Sequence, residues 1–154
     1  MRLFISHSLA PTDLHVAVLL GRQAQAKGIV VDTSQHQAPV TDSTPIIQHA
    51  IFYSDFVISI VSLDSEYATS VQLELGAAAS LGKPTLALIE RGVHLMQRIP
   101  GVQYVEFTRS NVSPALAHIS SILDAKKSQE NIGKWIVGGG MALLALYLIS
   151  KTET

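Results

Sequence analysis

Residues 62–84, SLDSEYATSVQLELGAAASLGKP, decide how the rest of the chain is interpreted. The segment begins in a polar stretch, becomes alanine-rich with helical spacing, and ends in GKP (82–84), where a helix stops before the apolar run 85–89. Glu74 lies in this helix, and the residues three or four positions away carry no positive charge that would pair with it. Glu74 is therefore either an ordinary solvated side chain or a carboxylate kept clear for a ligand.

Composition limits the classes of protein that fit. The 154 residues suit one domain with its own core, and a net charge of −1 offers no basic surface for nucleic acid. The absence of cysteine excludes disulfides and cysteine-based metal sites, and the six histidines lack the spacing of metal ligands, so we expect no metal site. The apolar run at the amino terminus is too short for a signal peptide, and we expect the folded part to stay in the cytoplasm.

Short apolar runs alternate with helical patterns along the chain. Because these runs are continuously apolar, they are typical of a parallel sheet covered by helices on both faces. Five such units predict an α/β, flavodoxin-like sheet of strand order 2-1-3-4-5. The predicted strands are residues 3–5, 29–31, 56–61, 85–89 and 102–107.

This strand order also predicts where a ligand binds. A crevice opens beyond the carboxyl ends of strands 1 and 3, where the strand order reverses. The residues that leave these ends are His7-Ser8 and Ser62-Leu63-Asp64, and the helix of Glu74 begins at the same edge. The polar stretch 32–44 is predicted to be a long exposed loop. His7 either contacts the ligand or is an ordinary loop histidine.

The carboxyl-terminal part differs from the rest in composition. Residues 135–150, WIVGGGMALLALYLIS, carry no charge. A helix over 132–150 would rise ~28 Å, close to the ~30 Å hydrocarbon core of a bilayer. We therefore expect a domain over 1–127, a linker over 128–131 and a single transmembrane helix over 132–150. Basic residues lie mainly before this helix, which predicts a cytoplasmic domain with a carboxyl-terminal anchor in the cell membrane. A helix buried in the domain is the alternative.

Several of these segments together resemble the Toll/interleukin-1 receptor (TIR) domain family. FISHS, residues 4–8, resembles the first conserved box of that family, and the loop that begins at Asp32 stands where the family has its BB loop. Residues 47–62 resemble the family's helix and central strand. Residues 65–88 resemble the bacterial TIR pattern, in which a Ser/Trp pair precedes a glutamate by one helical turn. The resemblance covers roughly residues 1–125.

What the resemblance implies is cleavage of NAD+ as a substrate, without a cofactor. Glu74 falls on the catalytic glutamate of enzymatic TIR domains, where a carboxylate stabilises the oxocarbenium character of the ribose. The products would be nicotinamide and ADP-ribose or a cyclic isomer. The implied substrate-binding residues are Phe4, His7, Ser8, Asp32, Ser62, Tyr67 and Ser70. The family also implies a homo-oligomer formed through TIR–TIR contacts and, for a membrane-anchored bacterial protein, antiviral defence signalling with a possible partner protein.

Two other classes remain open at this point. Ser70 stands where the family has tryptophan, Ser8 where it often has arginine, and residues 32–44 contain no aromatic side chain. Tyr67 and Phe4 are possible substitutes for these groups. The departures favour a non-catalytic TIR module that signals by self-association. A nucleoside deoxyribosyltransferase-like enzyme, whose fold also carries a glutamate beside Gly-Ala and a GKP turn, is the second alternative.

Overall fold

A computed structural model describes residues 1–36, 45–64, 68–95 and 97–131. Strands and helices alternate through these residues, as the sequence pattern predicts. In chain order the elements are β1 (Arg2–Ser8), α1 (Pro11–Ala26), β2 (Val30–His36), α2 (Pro45–Phe52), β3 (Phe56–Val61), α3 (Ala68–Ser80), β4 (Thr85–Glu90), β5 (Val102–Phe107) and α4 (Ser113–Asn131).

Five strands in the described ranges form one all-parallel sheet of order β2-β1-β3-β4-β5, which confirms the predicted flavodoxin-like topology. Every residue of β3 and β4 is buried, as expected for inner strands with continuous apolar sequence. The outer strand β5 is mostly half-buried. The order reverses between β1 and β3, so the switch point lies at the centre of the sheet.

The two faces of the sheet carry different apolar clusters. On one face, Leu3 and Ile5 of β1 pack with residues of α1 and α4, among them Leu20 and Ile119. The side chains that alternate with these point to the opposite face, where α2 and α3 pack and Phe4 belongs to the buried cluster. Burial of each such side chain contributes ~1.5–3 kcal/mol, which makes the sheet a rigid support for its loops.

Two strands are longer than their apolar runs predict. The strand predicted at 3–5 extends over Arg2–Ser8, and β2 extends to His36 although residues from 32 onward were expected to form a loop. The two strands pair in parallel register along their whole length, from Arg2 with Val30 to Ser8 with His36. Backbone pairing therefore continues where the side chains have become polar, and this part of the loop prediction is wrong.

The last helix continues through residues 128–131, which the sequence predicts as a linker. The candidate membrane span at 132–150 lies outside the described residues. Within the described part of the chain, no helix has both the length and the apolar character needed to cross a bilayer.

Candidate active site

The carboxyl ends of β1 and β3 lie side by side at the switch point, and α3 packs against both strands. The last three residues of β1 are Ser6, His7 and Ser8. Because polar residues at a strand end are commonly exposed, the sequence alone does not indicate that they are buried. In the structure all three are buried, with exposed fractions of 0%, 2% and 0%. All three therefore belong to the interior of this edge of the sheet. His7 was expected in a loop after the strand, but it lies within β1.

Glu74 is buried beneath α3, with only 1% of its surface exposed. The helix places it on the face that also carries Ser70, Val71 and Ala78, all of which are buried against the sheet. The Ser6 hydroxyl donates a hydrogen bond to Oε2 of Glu74. A carboxylate is costly to bury unless hydrogen bonds replace its water, and Ser6 supplies one such donor. Glu74 is thus an interior carboxylate. Of the two alternatives that the sequence left open, an ordinary solvated side chain is excluded.

Ser8 and His7 are held by interactions of their own. The Ser8 hydroxyl donates to Oδ2 of Asp13 at 2.5 Å and accepts the backbone N–H of Ala10 at 3.1 Å. Asp13 is fully buried in the first turn of α1, so this pair fixes the helix to the end of β1. His7 donates from Nδ1 to the carbonyl oxygen of Ser8 at 2.7 Å.

A second group of polar side chains joins the ends of β3, β4 and β5, and we call it the edge cluster (Thr12, Ser62, Asp64, Glu90 and Arg109). Asp64 accepts hydrogen bonds from Ser62 at 2.6 Å and from Thr12 at 3.1 Å. Arg109 donates to both carboxylate oxygens of Glu90, at 2.9 and 3.0 Å, and to Asp64 at 3.1 Å. Glu90 also accepts the backbone N–H of Leu63 at 2.8 Å. These bonds tie the start of the β3–α3 connection to the neighbouring strand ends.

Both carboxyl groups of the edge cluster are stabilised in the ionised form. The hydrogen bonds from Arg109 lower the pKa of Glu90, and they outweigh its partial burial, which acts in the opposite direction. Burial raises the pKa of Asp64, but the hydrogen bonds from Ser62 and Thr12 and the charge of Arg109 together hold it below its ordinary value. The cluster therefore carries two carboxylates against one guanidinium at neutral pH.

The remaining residues predicted for substrate binding lie in different surroundings. Phe4 is 1% exposed and packs with Ile51 and Ala78 in the core. Asp32 pairs with Arg2 at 3.1 Å, on the part of β2 that lies beside Phe4 and away from the strand ends. Tyr67 lies outside the described residues. Four residues of the predicted set lie in the same edge region as Glu74: His7, Ser8, Ser62 and Ser70. Substrate contact by any of them stays a prediction.

Sequence reasoning missed Ser6, Glu90 and Arg109. Ser6 had a usable signal, because the predicted strand order sets β1 beneath the helix of Glu74 and alternation gives Ser6 the same face as Phe4. No sequence signal pointed to Glu90 and Arg109, because their contact joins two strand ends that are 19 positions apart in the sequence. A register for β4 and β5 is needed before that contact can be predicted.

The fold and the Ser6–Glu74 pair define a flavodoxin-like α/β protein that holds a carboxylate beside the switch point of its sheet. No protein-family model matches the sequence, and a comparison with curated proteins finds no match either. Solved structures are similar in fold. One is the CMP N-glycosidase BcmB of Clostridium botulinum, at 18% identity and a TM-score of 0.55, over 77% of this chain and 98% of that one.

A second similar structure is the sugar isomerase domain of the RpiR transcription factor from Sphaerobacter thermophilus. It has 15% identity and a TM-score of 0.57, over 99% of this chain and 78% of that one. At such identities the likeness establishes the shared fold. The chemistry has to be argued from the site itself.

Proposed function

We propose that this protein is an N-glycosidase that cleaves the bond between ribose and a base in a nucleotide, with Glu74 as its catalytic carboxylate. The observation that carries the proposal is the burial of Glu74 beneath α3, in hydrogen-bond contact with Ser6 of β1. Ligands of open α/β sheets bind beyond the carboxyl ends of the strands at a switch point, and Glu74 lies beside that point.

The chemistry of this bond suits a single carboxylate. As the bond between C1′ and the base nitrogen breaks, its electron pair leaves with the base and positive charge develops on the ribose. A negative charge held in a water-poor environment stabilises that oxocarbenium strongly, because little solvent screens it. Water then adds to C1′ and loses a proton, which gives the free sugar hydroxyl.

The substrate we propose is NAD+, as the resemblance to bacterial TIR domains implies. Its nicotinamide nitrogen is cationic, so it leaves as a neutral base without a proton donor. Glu74 would act alone, and the products would be nicotinamide and ADP-ribose or a cyclic isomer. We further propose that the protein assembles through its TIR-like domain and is anchored in the membrane by residues 132–150, as part of an antiviral defence system.

The second candidate substrate is a nucleoside monophosphate. The similarity in fold to a CMP N-glycosidase favours it, because that enzyme breaks the same kind of bond in a smaller nucleotide. A cytosine leaving group departs with negative charge unless it is protonated, so this reaction would also need a proton donor. The two candidates therefore differ in leaving group as well as in size.

The test is release of the base by the full chain in detergent at high protein concentration. NAD+ and CMP are supplied separately, and nicotinamide and cytosine are quantified by chromatography. The variants are Glu74→Gln, which keeps size and removes charge, and Glu106→Gln as the matched control. Glu106 is an exposed glutamate of β5 whose side chain is 62% accessible.

Each outcome decides a different part of the proposal. Release by the wild type and by Glu106→Gln that is lost in Glu74→Gln supports the N-glycosidase and the role of Glu74, and the released base identifies the substrate. Release that persists in Glu74→Gln moves the catalytic group elsewhere. No release of either base rejects these two reactions and favours a module that acts by self-association.

A further inference from the structure

We infer that Ser59 is a positioning residue for Glu74: it is the alternative acceptor that lets the Ser6 hydroxyl release the carboxylate. The side chain of Ser59 is 0% exposed, and its hydroxyl oxygen has no hydrogen-bond partner among the described residues. A buried hydroxyl without a partner costs free energy, so its presence at the centre of the sheet calls for a physical role.

Ser59 lies directly beside Ser6. The two residues are paired in the parallel register of β1 and β3, two positions after Phe4 and Val57, which share a buried cluster on the α2–α3 face. Ser6 and Ser59 therefore point to that same face. On the other side of Ser59, the residue paired with it on β4 is Ala87, whose methyl group offers no hydrogen bond. Ser6 is thus the hydroxyl that the sheet itself places next to Ser59.

The spacing allows the two hydroxyls to meet. Neighbouring strands lie ~4.8 Å apart, and a serine hydroxyl can occupy three staggered positions around its Cα–Cβ bond. One rotation of Ser6 and one of Ser59 would bring the two oxygens to about 2.8 Å, the distance of an ordinary O–H···O bond. In the present structure the Ser6 hydroxyl donates to Glu74 instead.

Two arrangements of the same hydroxyl follow. In the first, Ser6 donates to Glu74 and stabilises its charge in the interior. In the second, Ser6 donates to Ser59, and Oε2 of Glu74 gains an acceptor site for a hydroxyl of the ribose. No proton or charge is transferred between the two arrangements, only a hydrogen bond. We call the switch of the Ser6 hydroxyl between Glu74 and Ser59 the exchange. The exchange is argued from geometry alone, and its kinetic consequence rests on the proposed function.

The exchange is tested first by stability, which needs no substrate. Ser59→Ala is made in the full chain with wild-type Glu74 and again with Glu74→Leu, and thermal midpoints are measured. With Glu74 present, we expect an unchanged or higher midpoint, because the variant removes a hydroxyl that has no partner in the described part of the chain. With Glu74→Leu, Ser6 loses that acceptor, and its register neighbours are Ser59 on β3 and Ser34 on β2. Because Ser59 is then one of the acceptors to which Ser6 can turn, we expect Ser59→Ala to lower the midpoint, by up to roughly 3 °C.

The control is Ser80→Ala, which removes an exposed hydroxyl of α3 and should have the same effect in both backgrounds. Equal effects of Ser59→Ala in the two backgrounds would overturn the exchange. If Glu74→Leu does not fold, Glu74→Met fills similar space with a more adaptable side chain and repeats the comparison.

The kinetic consequence is measured with whichever nucleotide the wild type cleaves. Ser59→Ala should lower kcat about tenfold without changing KM, the equivalent of one hydrogen bond, and Ser59→Thr should restore it. In a Ser6→Ala background, Ser59→Ala should have no effect, because the donor is gone. Wild-type kinetics for Ser59→Ala would contradict the positioning role. A wild type that cleaves nothing would reject the proposed function, while the thermal comparison would still decide the exchange.

Discussion

The hydroxyl of Ser6 on β1 donates to the carboxylate of Glu74 on α3, a hydrogen bond between residues 68 positions apart in the sequence. It joins the strand and the helix on either side of the switch point, and both residues are buried. The contact has two consequences that can be measured separately. It supports the fold by satisfying a buried charge, and it fixes the carboxylate from which the proposed chemistry starts.

Ser6→Ala should therefore destabilise the protein. The variant removes a donor to a buried carboxylate, and the loss of a hydrogen bond to a charged group costs about 1.5–3 kcal/mol. Unfolding in urea, followed by circular dichroism, measures this difference. Ser80→Ala is the matched control, because Ser80 is exposed and donates only to the carbonyl of Gly76, and its loss should cost under about 0.5 kcal/mol.

A Ser6→Ala variant as stable as the Ser80→Ala variant would show that other interactions satisfy Glu74. A double variant, Ser6→Ala with Glu74→Leu, separates the explanations further. If Ser6 acts through Glu74, the double variant should lose less stability than the sum of the two single losses.

The topology could be predicted from the sequence because it rests on patterns that are local. Continuous apolar runs such as 56–61 and 85–89 indicate inner strands of a parallel sheet, and the helical spacing between them sets the connections. The extent of β2 could not be predicted in this way. Its residues beyond Val31 are polar, and they join the sheet because β1 offers backbone partners as far as Ser8.

The site was predictable only in part for the same reason. Glu74 stood out because its helix has no cation to pair with it, which is a local property. That the Glu74 carboxylate is buried and in contact with Ser6 depends on which helix face meets the sheet. The hydrogen bonds of Arg109 to Glu90 and Asp64 span 19 and 45 positions, and no local sequence pattern predicts them.

Removal of residues 132–154 should change both the location and the concentration dependence of the proposed activity. A membrane anchor confines the domain to a plane and raises its local concentration, which favours assembly. We expect the chain ending at Asn131 to leave the membrane fraction on alkaline carbonate extraction and to need a higher protein concentration for activity. The control carries an unrelated apolar span in place of 132–150 and should recover both properties. Full activity of the dilute truncated chain would contradict the requirement for assembly.

Phe4 provides a test that separates packing from ligand contact. It is 1% exposed and packs with Ile51, Val57 and Ala78, so Phe4→Ala should lower the free energy of unfolding by about 3–5 kcal/mol. Phe4→Leu retains much of the buried volume and should keep most of the stability. Phe52→Ala, at an aromatic residue that is 55% exposed, should cost under about 1 kcal/mol.

The leucine variant also decides the stacking role that the sequence suggests for Phe4. If Phe4 serves only packing, Phe4→Leu should leave KM for the cleaved nucleotide unchanged. A large rise in KM with nearly normal stability would instead show that the ring contacts the substrate.

The edge cluster should make stability depend on pH in the acid range. The pKa values of Glu90 and Asp64 are lowered in the folded protein from ordinary values of 4.5 and 3.8. A lowered folded-state pKa means that the unfolded chain binds protons more readily. The contribution is therefore fully present above these ordinary values and is lost as the pH falls through them toward the folded-state values.

Arg109→Gln removes the guanidinium that both carboxylates share. The variant should therefore lose less stability than the wild type as the pH falls through the acid range. Urea midpoints measured between about pH 6 and pH 3 check this expectation, because the titration window follows from the ordinary carboxyl values. Arg91→Gln is the matched control, since the Arg91–Glu106 pair is exposed and its atoms are 3.8 Å apart. If the Arg109→Gln and wild-type curves ran parallel, the pKa of Glu90 would have to be lowered by groups other than Arg109. The backbone N–H of Leu63 would then be the remaining donor that the structure identifies.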